Sequence, residues 1–265
     1  MVPFDHRRFE RKNRNARDGG RAHRARERTD HDHPRHTPAM HATIDPAILY
    51  FGTPVVLVSS TNADGTPNLA PMSSAWWLGR SCMLGFGARS HTPANVTRTG
   101  ECVLNLPSVA QVAAVDRLAR TTGSDPVPPH KAAMGYRHEH DKFGVAGLTP
   151  LDSTVVAAPR VAECPVQLEA VLEAVHPLAV RDPARRGALV ALEVRVVAVH
   201  VHEAIRLPGH ADRIDPDRWR PLIMSFQRFY GLGDSVHEST LAQIPESSYR
   251  PQAPALSPAP VRRAS

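Results

Sequence analysis

Two runs in the second half of the chain alternate apolar and polar residues, and this period limits the fold more than any other feature. In Val166-Gln-Leu-Glu-Ala-Val-Leu-Glu-Ala-Val175, the residues Val166, Leu168, Ala170 and Leu172 fall on one side. Gln167, Glu169 and Glu173 fall mainly on the other. Successive side chains of a strand point to opposite faces, so the run reads as a strand with one buried face. The run from Leu189 to His202 also alternates, but its parity slips: Glu193 and Arg195 are odd, His200 and His202 even. One extra residue near Val196–Val197 restores the alternation, which predicts a β-bulge there.

Shorter strand signals precede this pair. The Val-rich run Pro54–Thr61 is ended by Asn62-Ala-Asp64-Gly65, a hairpin turn signal, and Thr66 to about Ser74 is the return strand. Ser81–Phe86 and Glu101–Leu106 read as a third and a fourth strand. Between them Thr92 fits an N-cap, Pro93 a first helical residue and Gly100 the position past the helix end. Ser108 caps a second helix to about Arg120, with Val109, Val112, Ala113 and Leu118 toward the core. Residues 121–165, rich in Pro and Gly, read as irregular and as a candidate lid or interface loop. Asp215–Trp219 reads as a capped helix start or a turn. Short strands with only two or three brief helices argue for a mostly β chain, an antiparallel barrel with a few peripheral helices.

The net charge of +6 does not point to nucleic acid, because of where it sits. Residues 1–40 hold ten Arg and one Lys against six acidic residues, so nearly all of the excess lies in that segment. The rest is close to neutral, without a basic stripe, and no nucleic-acid partner is expected. Residues 1–40 have almost no aliphatic side chains and read as a disordered basic tail. The composition break at Met40 makes 1–39 read as translated upstream sequence, with Met40 as native start; the rival reading is a basic arm for nucleic acid. Residues 41–250 read as one binding domain and 251–265 as a Pro-rich disordered tail. No apolar run approaches the roughly 20 residues of a membrane span. Cys82, Cys102 and Cys164 show no CxxC spacing and read as small core residues in a reducing compartment. A soluble, cytoplasmic protein is the expectation.

Two segments carry chemistry. Arg89-Ser90-His91-Thr92-Pro93 stands at a helix start, where free N–H groups and the positive dipole end favour an anion. Arg89 adds a planar cationic fork, and Ser90 and Thr92 add hydroxyl donors, a set suited to a phosphate dianion. The plain alternative is a solvated polar turn. In Asn68-Leu-Ala-Pro-Met-Ser-Ser74, Pro71 cannot donate to a ladder, so the strand is an edge or is broken there. Its free backbone groups, with Asn68, Ser73 and Ser74, could meet the polar rim of a flat heteroaromatic ring; an irregular edge strand is the plain alternative. His200 with His202, and His138 with His140, are pairs lacking a third ligand, and no metal is expected. Glu169 and Glu173 read as a solvated strand face rather than paired catalytic carboxylates. Trp76, Trp77 and Trp219 could shield a ring or simply pack. No GxSxG, Walker loop or GxGxxG occurs.

Together, YFGTPVVLVSSTNADGTPNLAPMSSAWW and CMLGFGARSHTPANVTRTGECVLNLP resemble the flavin reductase-like, FMN-binding split-barrel family, in its flavoredoxin-like branch. So do Asp141-Lys-Phe-Gly144, Gly147-Leu148, Ala158-Pro159 and Glu163-Cys-Pro-Val-Gln-Leu-Glu169. The resemblance covers roughly residues 44–235 and implies a split barrel holding FMN non-covalently. It implies that the pyrimidine edge is met by Asn68, Ala70, Met72, Ser73 and Ser74. The phosphate would be met by Arg89, Ser90 and Thr92, with Ala88, His91 and Asn95 beside them, and Lys142 would lie near the flavin. Many relatives carry Lys where this chain has His91-Thr92-Pro93. NAD(P)H as reductant, a nicotinamide cosubstrate stacked on the flavin, a homodimer and a redox or monooxygenase partner are implied as well. Hydride transfer to the flavin requires no protein acid or base, so no catalytic side chain is named. A non-enzymatic FMN electron carrier, or a barrel that has lost its cofactor, are the alternatives.

Overall fold

A computed structural model describes residues 41–249; the expectations for residues 1–40 and 251–265 lie outside the described residues. β1 (Phe51–Pro54) comes first, and the main sheet is built from β2 (Val56–Thr61), β3 (Pro67–Met72), β4 (Ala75–Leu78), β5 (Ser81–Gly87) and β6 (Glu101–Leu106), with later strands added. Helix α1 (His91–Thr99) lies between β5 and β6, and α2 (Val112–Leu118) follows β6. Residues 121–165 are not structureless. They carry β7 (Thr121–Thr122), α3 (Pro129–Ala133), β8 (Arg137–His138), α4 (Lys142–Ala146), β9 (Pro150–Leu151) and β10 (Arg160–Val161). The long pair is β11 (Val166–Pro177) and β12 (Leu189–Val201), and β13 (Leu222–Ser225) with β14 (Arg228–Gly231) joins β1 in a small separate sheet.

Seven strands pair antiparallel in the order β3-β2-β6-β11-β12-β5-β4, apart from the smaller sheets. The first and last of these are consecutive in sequence, joined only by Ser73 and Ser74. Laid flat, such a sheet would separate its edges by roughly 29 Å at about 4.8 Å per strand. Two linking residues reach only about 10 Å. The sheet must therefore roll until its edges nearly meet. Because β3 and β4 do not pair, the barrel stays open along that seam. Gly85 makes the close approach at the seam feasible: its N–H donates to the Ser74 carbonyl at 2.8 Å, and a Cβ there would stand 3.0 Å from Ser74 Cβ.

The period-two reading of β11 and β12 matches the packing. Val166, Leu168 and Ala170 face the barrel interior with Val56, Val58, Leu84, Leu104, Leu192 and Val194. Val197 is the extra residue of a bulge on β12, where expected; a second bulge on β11 at Glu173 was not foreseen. Cys82 and Cys102 are buried in this interior, and burial pushes both thiols up to about 12, which keeps them protonated and inert. Outside the barrel, Leu57 and Leu69 pack beneath Ala114, Val115 and Leu118 of α2 and Phe143 and Ala146 of α4. The second helix was misphased in the sequence reading: Val109 and Ala113 are exposed, while Ala114 and Val115 are buried. Ser108 does cap this segment, in a reciprocal box with Gln111.

Glu169 does not lie on a solvated face. It is fully buried and accepts from the Thr154, Val155 and Val156 amides (2.8, 2.6 and 3.1 Å), from Thr154 Oγ1 (2.9 Å) and from His200 Nε2 (2.7 Å). Burial alone would raise its pKa, but the Thr154 and Val155 amides and their neighbours prevail and hold it at about 2. The carboxylate thereby fastens the 154–156 loop to the barrel wall. Glu169→Ala would strip several buried donors of their acceptor and is expected to cost about 3 kcal/mol in urea unfolding. Because the folded-state pKa is depressed, this stabilisation is present above the usual carboxylate range and is lost as pH falls toward 2. Wild type should therefore lose stability more steeply than Glu169→Gln between pH 5 and pH 2, roughly the window in which a depressed carboxylate titrates.

Candidate functional site

The hairpin turn between β2 and β3 and the start of α1 meet at one end of the barrel. Period two puts Asn68, Ala70 and Met72 on the inner face of β3, while Leu69 points the other way into the α2–α4 layer. Asn68 is buried and donates through Nδ2 to Ser60 Oγ (3.1 Å) and Thr92 Oγ1 (3.2 Å). Asn95 Nδ2 donates to Ser60 Oγ (3.3 Å) and Asn62 Oδ1 (2.9 Å), and His91 Nε2 donates to the same Asn62 oxygen at 2.8 Å. Asn68, assigned from the sequence to the ring edge, thus joins His91, Thr92 and Asn95 of the helix start in one polar network. Ser60 and Asn62 complete it; the sequence reading saw them only as strand end and turn. Gly123 closes over the network, since a Cβ there would come within 2.4 Å of the His91 ring.

Helix α1 begins at His91 with Ser90 as N-cap, not at Pro93 with Thr92 as cap. Thr92 is one residue into the helix, and its hydroxyl serves Asn68 instead. The Ser90 side chain makes no capping hydrogen bond, and the first turn holds no acid. The first-turn N–H groups and the positive dipole end are therefore left uncompensated by the chain itself. Ala88, Arg89 and Ser90 form the turn ahead of the helix: Ser90 N–H donates to the Gly87 carbonyl and Ala88 N–H to the Ala188 carbonyl, both at 2.9 Å. Arg89 is exposed and makes no hydrogen bond or ion pair with a described residue.

Lys142 is the strongest electrostatic feature. It is 3% exposed, at the start of α4, and its ammonium makes no hydrogen bond or ion pair with a described residue. Burial, with help from Lys131 and opposed by Glu139, lowers its pKa to about 8. His91 is lowered as well, first by burial and then by Lys142, His138, Lys131 and Arg98. Positive charge thus converges on the polar network. A buried ammonium with no hydrogen bond or ion pair among the described residues is costly, and an anionic ligand would relieve that cost.

Ser73 and Ser74 sit on the barrel seam, apart from the α1 network. Ser74 Oγ is 2.9 Å from the Tyr50 hydroxyl, while Met72 and Ser73 line a small apolar pocket of about 180 Å³ with Val115 and Phe229. Trp76 is 58% exposed, whereas Trp77 and Trp219 pack against the barrel interior. His200 is engaged by Glu169, and the His202 imidazole accepts from the Ala204 amide.

An open-seamed antiparallel barrel with a cationic helix start at one end is the architecture of a flavin-binding split barrel. The chain matches the model of the flavin reductase like domain over residues 48–233 and belongs to that family. It is 38% identical over 193 residues to the uncharacterised protein YdfE of Bacillus subtilis, covering 73% of this chain and 90% of YdfE. Its fold is similar to that of flavoredoxin of Desulfovibrio vulgaris (22% identity, TM-score 0.61, covering 77% of this chain and 100% of that one). It is also similar to nitrilotriacetate monooxygenase component B of Bacillus cereus (24% identity, TM-score 0.59, covering 75% and 99%). Family membership supports flavin binding and an oxidoreductase-type role.

If Arg89 and Lys142 meet a flavin phosphate, two results are expected. Arg89→Ala weakens FMN binding by roughly tenfold to 150-fold in a fluorescence-quenching titration, the range of one charge-assisted hydrogen bond. Wild-type affinity declines as pH rises through about 8, where Lys142 loses its proton, and Lys142→Met flattens that decline.

Proposed function

We propose that this protein binds FMN non-covalently and catalyses hydride transfer from NAD(P)H to flavin. The observation that carries the reading is the buried Lys142, acting on His91 at an uncapped helix start, together with Arg89, neither side chain having a hydrogen bond or ion pair among the described residues. These groups fit a phosphate dianion in charge, and the polar rim at Asn68 and Ser74 fits a heteroaromatic ring edge in hydrogen-bonding capacity.

In this reading Arg89, Ser90, Thr92 and the first-turn amides of α1 hold the phosphate, with Ala88, His91 and Asn95 shaping the turn around it. Asn68, Ala70, Met72, Ser73 and Ser74 lie along the pyrimidine edge, and Lys142 offsets negative charge from the inner side. When bound, FMN supplies the two-electron acceptor for the nicotinamide hydride. The chain's part is to position, to neutralise charge and to leave one ring face open. No side chain here acts as an obligatory acid or base.

The reading extends to assembly. β4 is an edge strand that exposes Trp76 and Leu78 (58% and 76%), which supports a homodimer through that surface. The name of the Bacillus cereus protein supports a further step, in which a separate oxygenase or other redox partner consumes the reduced flavin. Three buried free thiols fit a reducing compartment such as the cytoplasm.

The test is anaerobic stopped-flow of the FMN-loaded protein. Loss of flavin absorbance on mixing with NADH or NADPH alone is the expected result. A flavin that stays oxidised until a partner protein is added would replace the enzyme with an electron carrier. Protein that takes up no FMN would end both readings.

A further inference from the structure

Helix α2 and the residues that end it divide their surface between two surroundings. Ala114, Val115 and Leu118 are buried against the barrel, whereas Asp116, Arg117, Ala119 and Arg120 are exposed. With Arg137 and Val145, those four line a cleft of about 410 Å³. That volume lies within the range of about 300–1,000 Å³ typical of small-molecule sites. None of the lining residues belongs to the Arg89 turn or to the polar network at α1. The backbone holds the arginines together. The short parallel pair β7–β8 sets Thr121 beside Arg137, and the Arg137 N–H donates to the Arg120 carbonyl at 3.1 Å. Gly135, at φ 79°, lets the chain turn close to the Arg120 guanidinium, where a Cβ would stand 3.2 Å from Nη1. Arg117 is fixed in place: its Nε donates to the Val145 carbonyl at 3.1 Å and its Nη2 to the Ala146 carbonyl, which ties α2 to the end of α4. The Asp116, Arg120 and Arg137 side chains make no hydrogen bond or ion pair with a described residue. Three guanidinium groups thus share one concavity with a single carboxylate that pairs with none of them.

We propose that this cleft binds a phosphorylated sugar or polyol. Arg120 and Arg137 present planar forks that match the oxygens of a phosphate group. Arg117 adds a third positive charge at a fixed position. Asp116 repels a phosphate, but an ionised carboxylate accepts hydrogen bonds and donates none, which suits a hydroxyl group. A ligand with an anionic end and a hydroxylated end uses both kinds of group, whereas inorganic phosphate uses the arginines alone. The apolar part of the lining is only Ala119 and Val145, which favours a hydroxylated ligand over an aromatic one. The inference does not depend on the flavin reading.

Calorimetry of the full chain with glucose 6-phosphate and with inorganic phosphate tests it. Wild type is expected to bind glucose 6-phosphate more tightly than inorganic phosphate. Arg120→Ala/Arg137→Ala changes two exposed side chains and is expected to weaken glucose 6-phosphate by at least about tenfold, one decade of Kd. An unchanged thermal midpoint verifies that this variant is folded. Arg89→Ala is expected to leave the affinity as it is. Asp116→Ala is expected to strengthen inorganic phosphate, by removing a like charge, and to reduce the preference for the sugar phosphate. No binding by wild type, binding unmoved in Arg120→Ala/Arg137→Ala, or binding lost in Arg89→Ala instead would overturn the proposal. So would equal affinities of wild type for glucose 6-phosphate and inorganic phosphate, which would reduce the cleft to an unspecific anion patch.

Discussion

Everything at the candidate site depends on a short tether. Ser73 and Ser74 connect the two outermost strands of a seven-stranded sheet, and their limited reach forces the sheet to curl. Closure is incomplete because β3 carries Pro71, which has no N–H to give, and because the tether turns directly into β4. The result is a barrel with a seam, and the seam leaves backbone polar groups of an edge strand within reach of a ligand. The same closure brings the β2–β3 turn under the start of α1, where Asn68 can meet Thr92.

The charge distribution follows from that geometry. Nearly all of the excess formal charge lies in residues 1–40, so the positive character of the site is not inherited from a basic chain. It is produced locally, by burying Lys142 at the start of α4 and by leaving the first turn of α1 without an acid or a side-chain cap. Both features cost stability in the isolated protein, and both become favourable beside an anion. Elsewhere buried charge is treated differently: Glu169 is surrounded by donors and fastens a loop. A buried acid with a full set of partners is structural, whereas a buried base with no hydrogen bond or ion pair among the described residues invites a ligand.

The sequence made the strands legible where alternation was long. β11, β12 and the Val197 bulge follow from parity alone, and β6 was read to the residue. Short strands were not legible. β4 holds two Trp in four residues, and β13 and β14 are four residues each, too brief for a period to show. The helix start was misplaced by two residues because Thr-Pro imitates a cap and first turn, whereas the Thr92 hydroxyl is drawn to Asn68. Ser60 and Asn62 carry no distinguishing signal; their role exists only once the hairpin is folded against α1. Glu169 was misread because alternation reports which face a residue occupies, not whether a loop from elsewhere covers that face.

The most direct check of the central claim is a crystal structure of the protein with FMN. The account predicts phosphate density between Arg89 and the first turn of α1, the ring edge along Asn68 to Ser74, and the Lys142 ammonium turned toward the ligand. Density for FMN at any other place, with the Arg89 turn facing bulk solvent, would contradict it.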